Sequence, residues 1–290
     1  MPIRAHSSIP IFLRLLFVVV FAGLPAISFA VLQDEIQVYD NEINAKGEAS
    51  LELHVNTTPR GVTTPSYPGE VMNNNGVRVT PELAYGLGND LEAGLYISYV
   101  NYNNQFQYAA TKARLKWLPI RQDKGDSFFA GVNFEVSNVQ PQFDESRYNG
   151  EARFIIGKQF DEWLFSFNPI IDMQLSQPYV HQAPYFSTAT RLSREVIPDL
   201  ALGVEYYSNL NQIGQPTTYQ NTQQLGFLMM YYDGKPLAFQ AGIGKGFTNS
   251  TDSLTLKAIF SIPLDWVWVK VCQWILNPTR SKSLATAQHS

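Results

Sequence analysis

Taking every second residue of SFFAGVNFEVS (127–137) separates Phe128, Ala130, Val132, Phe134 and Val136 from Phe129, Gly131, Asn133, Glu135 and Ser137. The first row is apolar and the second mostly small or polar, and a period of two puts such rows on opposite sides of an extended strand. The pattern recurs. In EASLELHVN (48–56), Ala49, Leu51, Leu53 and Val55 share one face while Glu52, His54 and Asn56 share the other. Alternation and turn residues together predict strands near 48–56, 78–87, 91–100, 108–118, 127–137, 147–157, 163–175, 185–196, 200–209, 221–232, 236–246 and 254–264. Pro81 removes a ladder donor from the second of these and predicts a bulge there.

The connections narrow the fold further. The odd-numbered ones are nearly always the longer, beginning with a Thr-, Pro-, Gly- and Asn-rich loop from Thr57 to just beyond Gly76, and the even-numbered ones include Asn89-Asp90, Ile197-Pro198-Asp199 and Asp233-Gly234-Lys235. Long loops at one end and tight turns at the other are the mark of an all-β fold of one kind: a transmembrane antiparallel up-and-down β-barrel of about 12 strands. Lipid offers no hydrogen bonds, so a sheet crossing it must close on itself, and strands of about ten tilted residues suffice to span it. A secreted β-sandwich alternates as well within its strands, but has no reason to alternate its loop lengths. Tyr206-Tyr207, Tyr231-Tyr232, Trp117 and Trp163, near predicted strand ends, are candidates for the interfacial aromatic girdles.

Residues 1–30 open with Arg4 and Arg14, continue through an apolar run from Leu15 to Leu24 and end in Ser28-Phe29-Ala30. This is the layout of a cleaved N-terminal signal peptide, and export of the chain follows from it. The expected organisation is therefore a signal peptide over 1–30, a short polar periplasmic lead-in over 31–47, the barrel over 48–264 and a C-terminal extension over 265–290. That extension, with Trp266, Trp268, Trp274 and Lys270, reads either as an interfacial amphipathic segment or as part of a longer last strand. With two basic and no acidic residues in 1–30, the whole-chain charge of -4 becomes -6 in the mature chain, which gives no electrostatic case for nucleic acid as a partner. The lone Cys272 cannot form an internal disulfide. Charged residues are 16% and aromatics 13% of the chain, and mean hydropathy is -0.14, so no set of apolar helical spans is present.

The segments DEIQVYDNEI (34–43), SLELHVNTTPRG (50–61), TPELAYGL (80–87), GVNFEVS (131–137) and GVEYYS (203–208) resemble those of bacterial outer-membrane β-barrel proteins classed as transporters and grouped with the MetA-like proteins of phenol-degradation pathways. The resemblance covers about residues 33–264. It implies the outer membrane of a Gram-negative bacterium and a transport role, and it brings no functional residue with it.

If the apolar rows face lipid, the other rows face the lumen. Outward-running strands then carry inward acids (Glu52, Glu92, Glu135, Asp172, Glu205) and returning strands carry inward bases (Arg78, Arg114, Arg153, Arg191), with Lys112, Lys116 and Lys257 beside them. Such a lining is either a salt-bridge ladder that holds the wall or a charged constriction that selects solutes. Glu82 and Glu151 break the sign rule. Gly94, Gly131, Gly157, Gly203, Gly226, Gly242 and Gly244 fall on the same expected inward phase and relieve crowding in a barrel of intermediate size, which predicts a narrow passage rather than a wide pore. His54, His181 and His289 form no Ser-His arrangement, and His54 reads as a lumenal hydrogen-bonding group. Asp90, Asp144, Asp233 and Asp252 lack calcium-loop spacing and phosphate-binding glycine loops are absent, so neither catalysis, nor a metal, nor a cofactor is expected. The expected partners are outer-membrane lipid, a small solute that is hydrophobic or aromatic, and the barrel-assembly machinery during biogenesis. A barrel that does not transport, and that works as a surface binding protein through the Thr57–Asn75 loop or as a lipid-modifying enzyme, is the alternative.

Overall fold

The computed structural model describes residues 35–121, 127–215 and 217–264. The signal-peptide and C-terminal-extension expectations lie outside the described residues. Among them, twelve strands close into one antiparallel barrel, each paired with its neighbour in sequence and β1 with β12. They are β1 (Ala49–Arg60), β2 (Val77–Gly88), β3 (Leu91–Tyr102), β4 (Gln105–Ile120), β5 (Ser127–Val139), β6 (Tyr148–Phe160), β7 (Trp163–Gln174), β8 (Tyr185–Ile197), β9 (Leu200–Gln212), β10 (Gln223–Tyr232), β11 (Ala238–Gly246) and β12 (Leu254–Pro263).

The two rows of each strand separate as the period requires. Phe128, Phe134 and Val136 of β5 are half exposed on the outside, as are Leu51, Leu83, Leu95, Leu115, Val204, Leu228 and Ile243 around the ring. Their inward neighbours Glu82, Glu92, Asn133, Glu135 and Glu205 are all buried. A protein with polar groups inside and an apolar belt outside is inverted relative to a soluble domain, and the bilayer is the solvent that suits it.

Long loops at 61–76, 140–147, 175–184, 213–222 and 247–253 gather at one end, and the turns Asn89-Asp90, Asp161-Glu162 and Pro198-Asp199 at the other. Two details differ from expectation. The third connection is only Asn103-Asn104, and both residues have positive φ (52° and 60°), as do Asn89 and Asp90 (54° and 59°). That is the type I′ hairpin geometry that matches strand twist, and asparagine tolerates it. The first strand also runs on through Thr57–Arg60 before its loop begins.

Pro81 makes no bulge. The β2–β3 register is the same on both sides of it, with Val79 opposite Tyr99 and Glu82 opposite Tyr96. On the other edge the β1–β2 register passes through it unbroken, Leu53 lying opposite Pro81. The ring sits in the outward row, and the missing donor costs a local gap in pairing rather than an inserted residue.

The aromatic pairs divide by the same parity. Tyr206 and Tyr232 are outward and 39% exposed, and Trp117 and Trp163 are outward too. Tyr207 and Tyr231 point inward, where both hydroxyls donate to Glu205 (2.6 and 2.8 Å), so they belong to the lumen and not to a girdle.

Candidate functional site in the lumen

The largest departure from expectation is the segment read as a periplasmic lead-in. Ile36, Val38, Tyr39 and Asp40 are buried inside the barrel. The segment runs from the middle of the lumen at Glu35 to the short-turn end, where Glu92 accepts from the Asn44 amide at 2.7 Å and the Gly47 amide donates to the Gly86 carbonyl at 2.8 Å. Gly86 is needed there, because a Cβ on it would lie 2.0 Å from the Ala45 carbonyl oxygen. From this turn the chain enters β1.

The wall supplies what an isolated extended segment lacks. Asn168 on β7 accepts from the Tyr39 amide (2.7 Å) and donates to the Tyr39 carbonyl (3.0 Å), so its side chain imitates one rung of a β-ladder, and Ser166 donates to the same carbonyl at 2.5 Å. Arg153 donates to the Gln37 carbonyl and Lys257 to the Ile36 carbonyl, each at 2.8 Å. Arg191 pairs with Asp40 at 2.7 Å. Side chains of the segment enter three apolar clusters: Ile36 with Leu225, Phe227, Met229 and Tyr231; Val38 with Ile170 and Ala189; Tyr39 with Leu118, Phe129 and Ile155. The Tyr39 ring also lies 4.7 Å from the Arg153 guanidinium and 5.3 Å from the Lys116 ammonium, within cation–π range.

All nine residues expected on the lumen wall lie on its inner rows, but among the described residues the predicted ladder of neighbouring-strand pairs forms only along β4, where Lys112 meets Glu135 on β5 at 3.4 Å. Arg114 on β4 meets Glu92 on β3 at 2.7 Å, with Lys116 on the same carboxylate at 3.1 Å. Elsewhere the partners are different. Glu52 lies opposite Glu82, not Arg78, and Arg78 donates to Asn73 in the first loop. Arg114 also holds Glu82 at 2.5 Å. Arg153 pairs with Glu151 on its own strand at 2.8 Å. Asp172 accepts from the Ser187 hydroxyl at 3.0 Å. Glu205 is buried against Lys257, Tyr207 and Tyr231. Sequence parity found the inward residues but could not find these pairs, because half of them involve the inserted segment, residues two apart on one strand, or strands that are not neighbours.

The inward glycines have a use that the register explains. Gly94 lies opposite Arg114, Gly157 opposite Phe129, Gly242 opposite Met229 and Gly244 opposite Phe227. A Cβ on Gly244 would come within 2.5 Å of the Phe227 ring, and one on Gly157 within 2.1 Å of the Phe129 ring. Each makes room for a large lumenal side chain on the adjoining strand. Gly226 is a correction. It faces outward beside Tyr206 and Phe247, and the inward row of β10 is Leu225, Phe227, Met229 and Tyr231.

The segment leaves space on both sides of itself. Toward the long-loop end two adjoining cavities of about 130 and 150 Å³ share Lys112, Glu151 and Asp172. Tyr67, Glu135, Asp144 and Glu145 line the first, and Ile36, Ile170, Ala189, Leu225 and Tyr207 the second. Toward the short-turn end a cavity of about 360 Å³ is lined by Glu52, Glu82, Glu92, Arg114 and Lys116 with residues 37–44. The first loop crosses the outer mouth: the Val71 amide donates to the Gln142 carbonyl, and Asp252 accepts from the Val62 amide, both at 2.8 Å. In the 140–147 loop, burial raises the Asp144 carboxyl to about 6, with Glu145 adding to the effect and the Ser146 amide opposing it.

No known family description matches the sequence, and no curated protein matches it. Solved structures do match in shape. An outer-membrane channel from Pseudomonas putida F1 superposes with a TM-score of 0.53 at 11% identity, over 79% of this chain and all of that one. The KdgM porin (TM-score 0.48, 7% identity, 73% of this chain and 98% of that one) and OprD from Pseudomonas aeruginosa (0.37, 13%, 74% and 65%) match less well. At these identities the likeness concerns the fold alone, and with the inverted surface it makes the chain a twelve-stranded barrel of the bacterial outer-membrane kind.

Proposed function

We propose that the protein is a passive outer-membrane channel for a small solute, with a narrow charged lumen that its own residues 35–44 constrict. The observation that carries this reading is a membrane barrel with solvent-sized cavities above and below a single inserted segment. A wall built only for stability has no need of such spaces. The apolar part of the outer cavity, with Ile36, Ile170, Ala189, Leu225 and Tyr207, suits a solute with a hydrophobic or aromatic body. That fits the resemblance to the MetA-like barrels of phenol-degradation pathways. The charged groups at either end orient a polar tail and set ionic preference.

The test is conductance in planar bilayers together with uptake of phenol-sized solutes by proteoliposomes. A small conductance is expected from the full chain. A several-fold larger one is expected when residues 35–43 are replaced by a Gly/Ser stretch of equal length, which retains the leader and the Asn44 turn. Absence of both conductance and uptake in either protein, with the barrel shown to be folded by heat-modifiable gel mobility, sinks the proposal. The rival reading, a surface binding protein working through the first loop, sits poorly with the hydrogen bonds that tie that loop to Gln142 and Asp252 across the mouth.

A further inference from the structure

Next to the segment, on the seam where β1 joins β2, three lumenal side chains converge. Glu52 and His54 are alternate inward residues of β1, and Glu82 is the register partner of Glu52 on β2. His54 Nε2 is 3.2 Å from Glu82 Oε2 and 3.6 Å from Glu52 Oε2, and one donor atom from each residue lies within 4.8 Å of the other two. A divalent ion held by nitrogen and oxygen at about 2.0–2.2 Å in tetrahedral geometry needs donors roughly 3.4 Å apart. Small side-chain adjustments therefore bring all three to bonding distance.

We propose that Glu52, His54 and Glu82 form a binding site for a divalent metal ion of the Zn2+ class. Three features support it. His54 is wholly buried and aims Nε2 between the two carboxylates. Next, charges around the seam do not balance. Arg114 and Lys116 face Glu82 and Glu92, while Glu52 has no Lys or Arg within bridging distance among the described residues, leaving one carboxylate in excess. Lastly, Arg114 approaches Glu82 entirely through Oε1, with Nε at 2.7 Å and Nη2 at 2.5 Å. Oε2 faces His54 Nε2 at 3.2 Å, where an ion would take the place of the proton between them, and the guanidinium orients the ligating carboxylate from outside, as partners of metal ligands do.

Glu52 and Glu82 both line the cavity at the short-turn end, so the ion has a path from water and a position for a water ligand. One imidazole and two carboxylates suit Zn2+, Co2+ or Mn2+ better than Ca2+, which takes six to eight oxygens. The ion would cross-link β1 to β2 beside the β12–β1 closure.

The experiment uses untagged full-length protein, refolded in detergent, stripped with chelator and titrated with Co2+ and then Zn2+. One equivalent of Co2+ should bind with the visible absorption of a low-coordinate N/O site, and Zn2+ should displace it. Glu52→Gln and His54→Ala, each checked for the folded barrel by gel mobility, should weaken binding at least tenfold, and His181→Ala should not. No stoichiometric binding by the folded wild type at micromolar metal, or binding that Glu52→Gln and His54→Ala leave unchanged, overturns the site. In the first case a proton on His54 is the only cation between the two carboxylates.

Discussion

On β2–β4 the inner wall carries Glu82, Glu92, Arg114 and Lys116, whereas on β10, about half the ring away, it carries Leu225, Phe227, Met229 and Tyr231. Both walls are crowded, and both use glycine on the adjoining strand to make space, Gly94 beneath Arg114 and Gly244 beneath Phe227. They differ in what holds them together. The charged wall is a chain of directed contacts in which one guanidinium serves two carboxylates, so removing one member strands the others. The apolar wall is held by contact area, which degrades more gradually. Between them lies a segment that takes from each: Ile36 packs on the apolar side, and Tyr39 stacks against cations on the other.

The sharpest way to break this contrast is Arg114→Ala. It leaves Glu82 and Glu92 buried with less compensation, and losing one partner of a buried ion pair costs about 3–5 kcal/mol. A urea or thermal midpoint shift of that size, read by gel mobility, is expected. A shift no larger than that of an exposed residue would show that water fills the gap and that the wall is not a directed network. Asn168→Ala should be next. It strips the Tyr39 amide of its acceptor and its carbonyl of one of two donors, and leaving buried polar groups unpaired costs about 1–3 kcal/mol. The effect should fall on the segment rather than on the barrel, with higher and noisier conductance at unchanged unfolding temperature. A quiet channel would mean the apolar clusters alone seat the segment.

On the other wall, Gly244→Ala puts a methyl 2.5 Å from the Phe227 ring, and overpacking of this sort costs roughly 1–3 kcal/mol. Phe227→Leu in the same chain should return part of the loss, because the shorter side chain no longer reaches the added methyl. Additive effects of the two changes would mean that the glycine serves the backbone instead of the ring.

How much of this was legible beforehand depends on the range of the information. Parity within a strand is local, and it placed Glu52, Glu92, Arg114 and Glu205 on the inner rows without error. It failed at Gly226, where the apolar inward row of β10 inverts the rule that apolar means lipid. Tyr206 and Tyr207 cannot share a girdle, because the inward phase of Glu205 already sends Tyr207 into the lumen. Partners were out of reach for a different reason. Which acid meets which base depends on strand stagger, so Glu52 faces Glu82 and Arg78 turns to a loop. The inserted segment was least legible of all. DEIQVYD has the alternation of a strand but no strand to pair with, and its satisfaction by Asn168, Arg153 and Lys257 lies more than a hundred residues away in sequence.

The smallest expected effect concerns the outer mouth, where Glu135, Asp144, Glu145, Glu151 and Asp172 outnumber the single Lys112 around the first cavity. Excess negative charge at an entrance concentrates cations there, so the reversal potential under a salt gradient should favour cations near neutral pH. Asp144 is the member most easily switched, since burial has raised it from an ordinary 3.8 to about 6. An acid shifted upward behaves oppositely to an ion-paired one. The folded chain binds the proton more tightly than the unfolded chain, so this group adds stability as pH falls from about 6 toward 3.8, and imposes a penalty above 6. Lowering pH from 7 to 5 should therefore reduce cation preference modestly, by about twofold or less for one charge among several, without loosening the barrel. Asp144→Asn should show the reduced preference already at pH 7 and a flatter pH response. If the variant and the wild type titrate alike, the pH response belongs to carboxylates deeper in the lumen, and the mouth contributes less to selection than the charged wall below it.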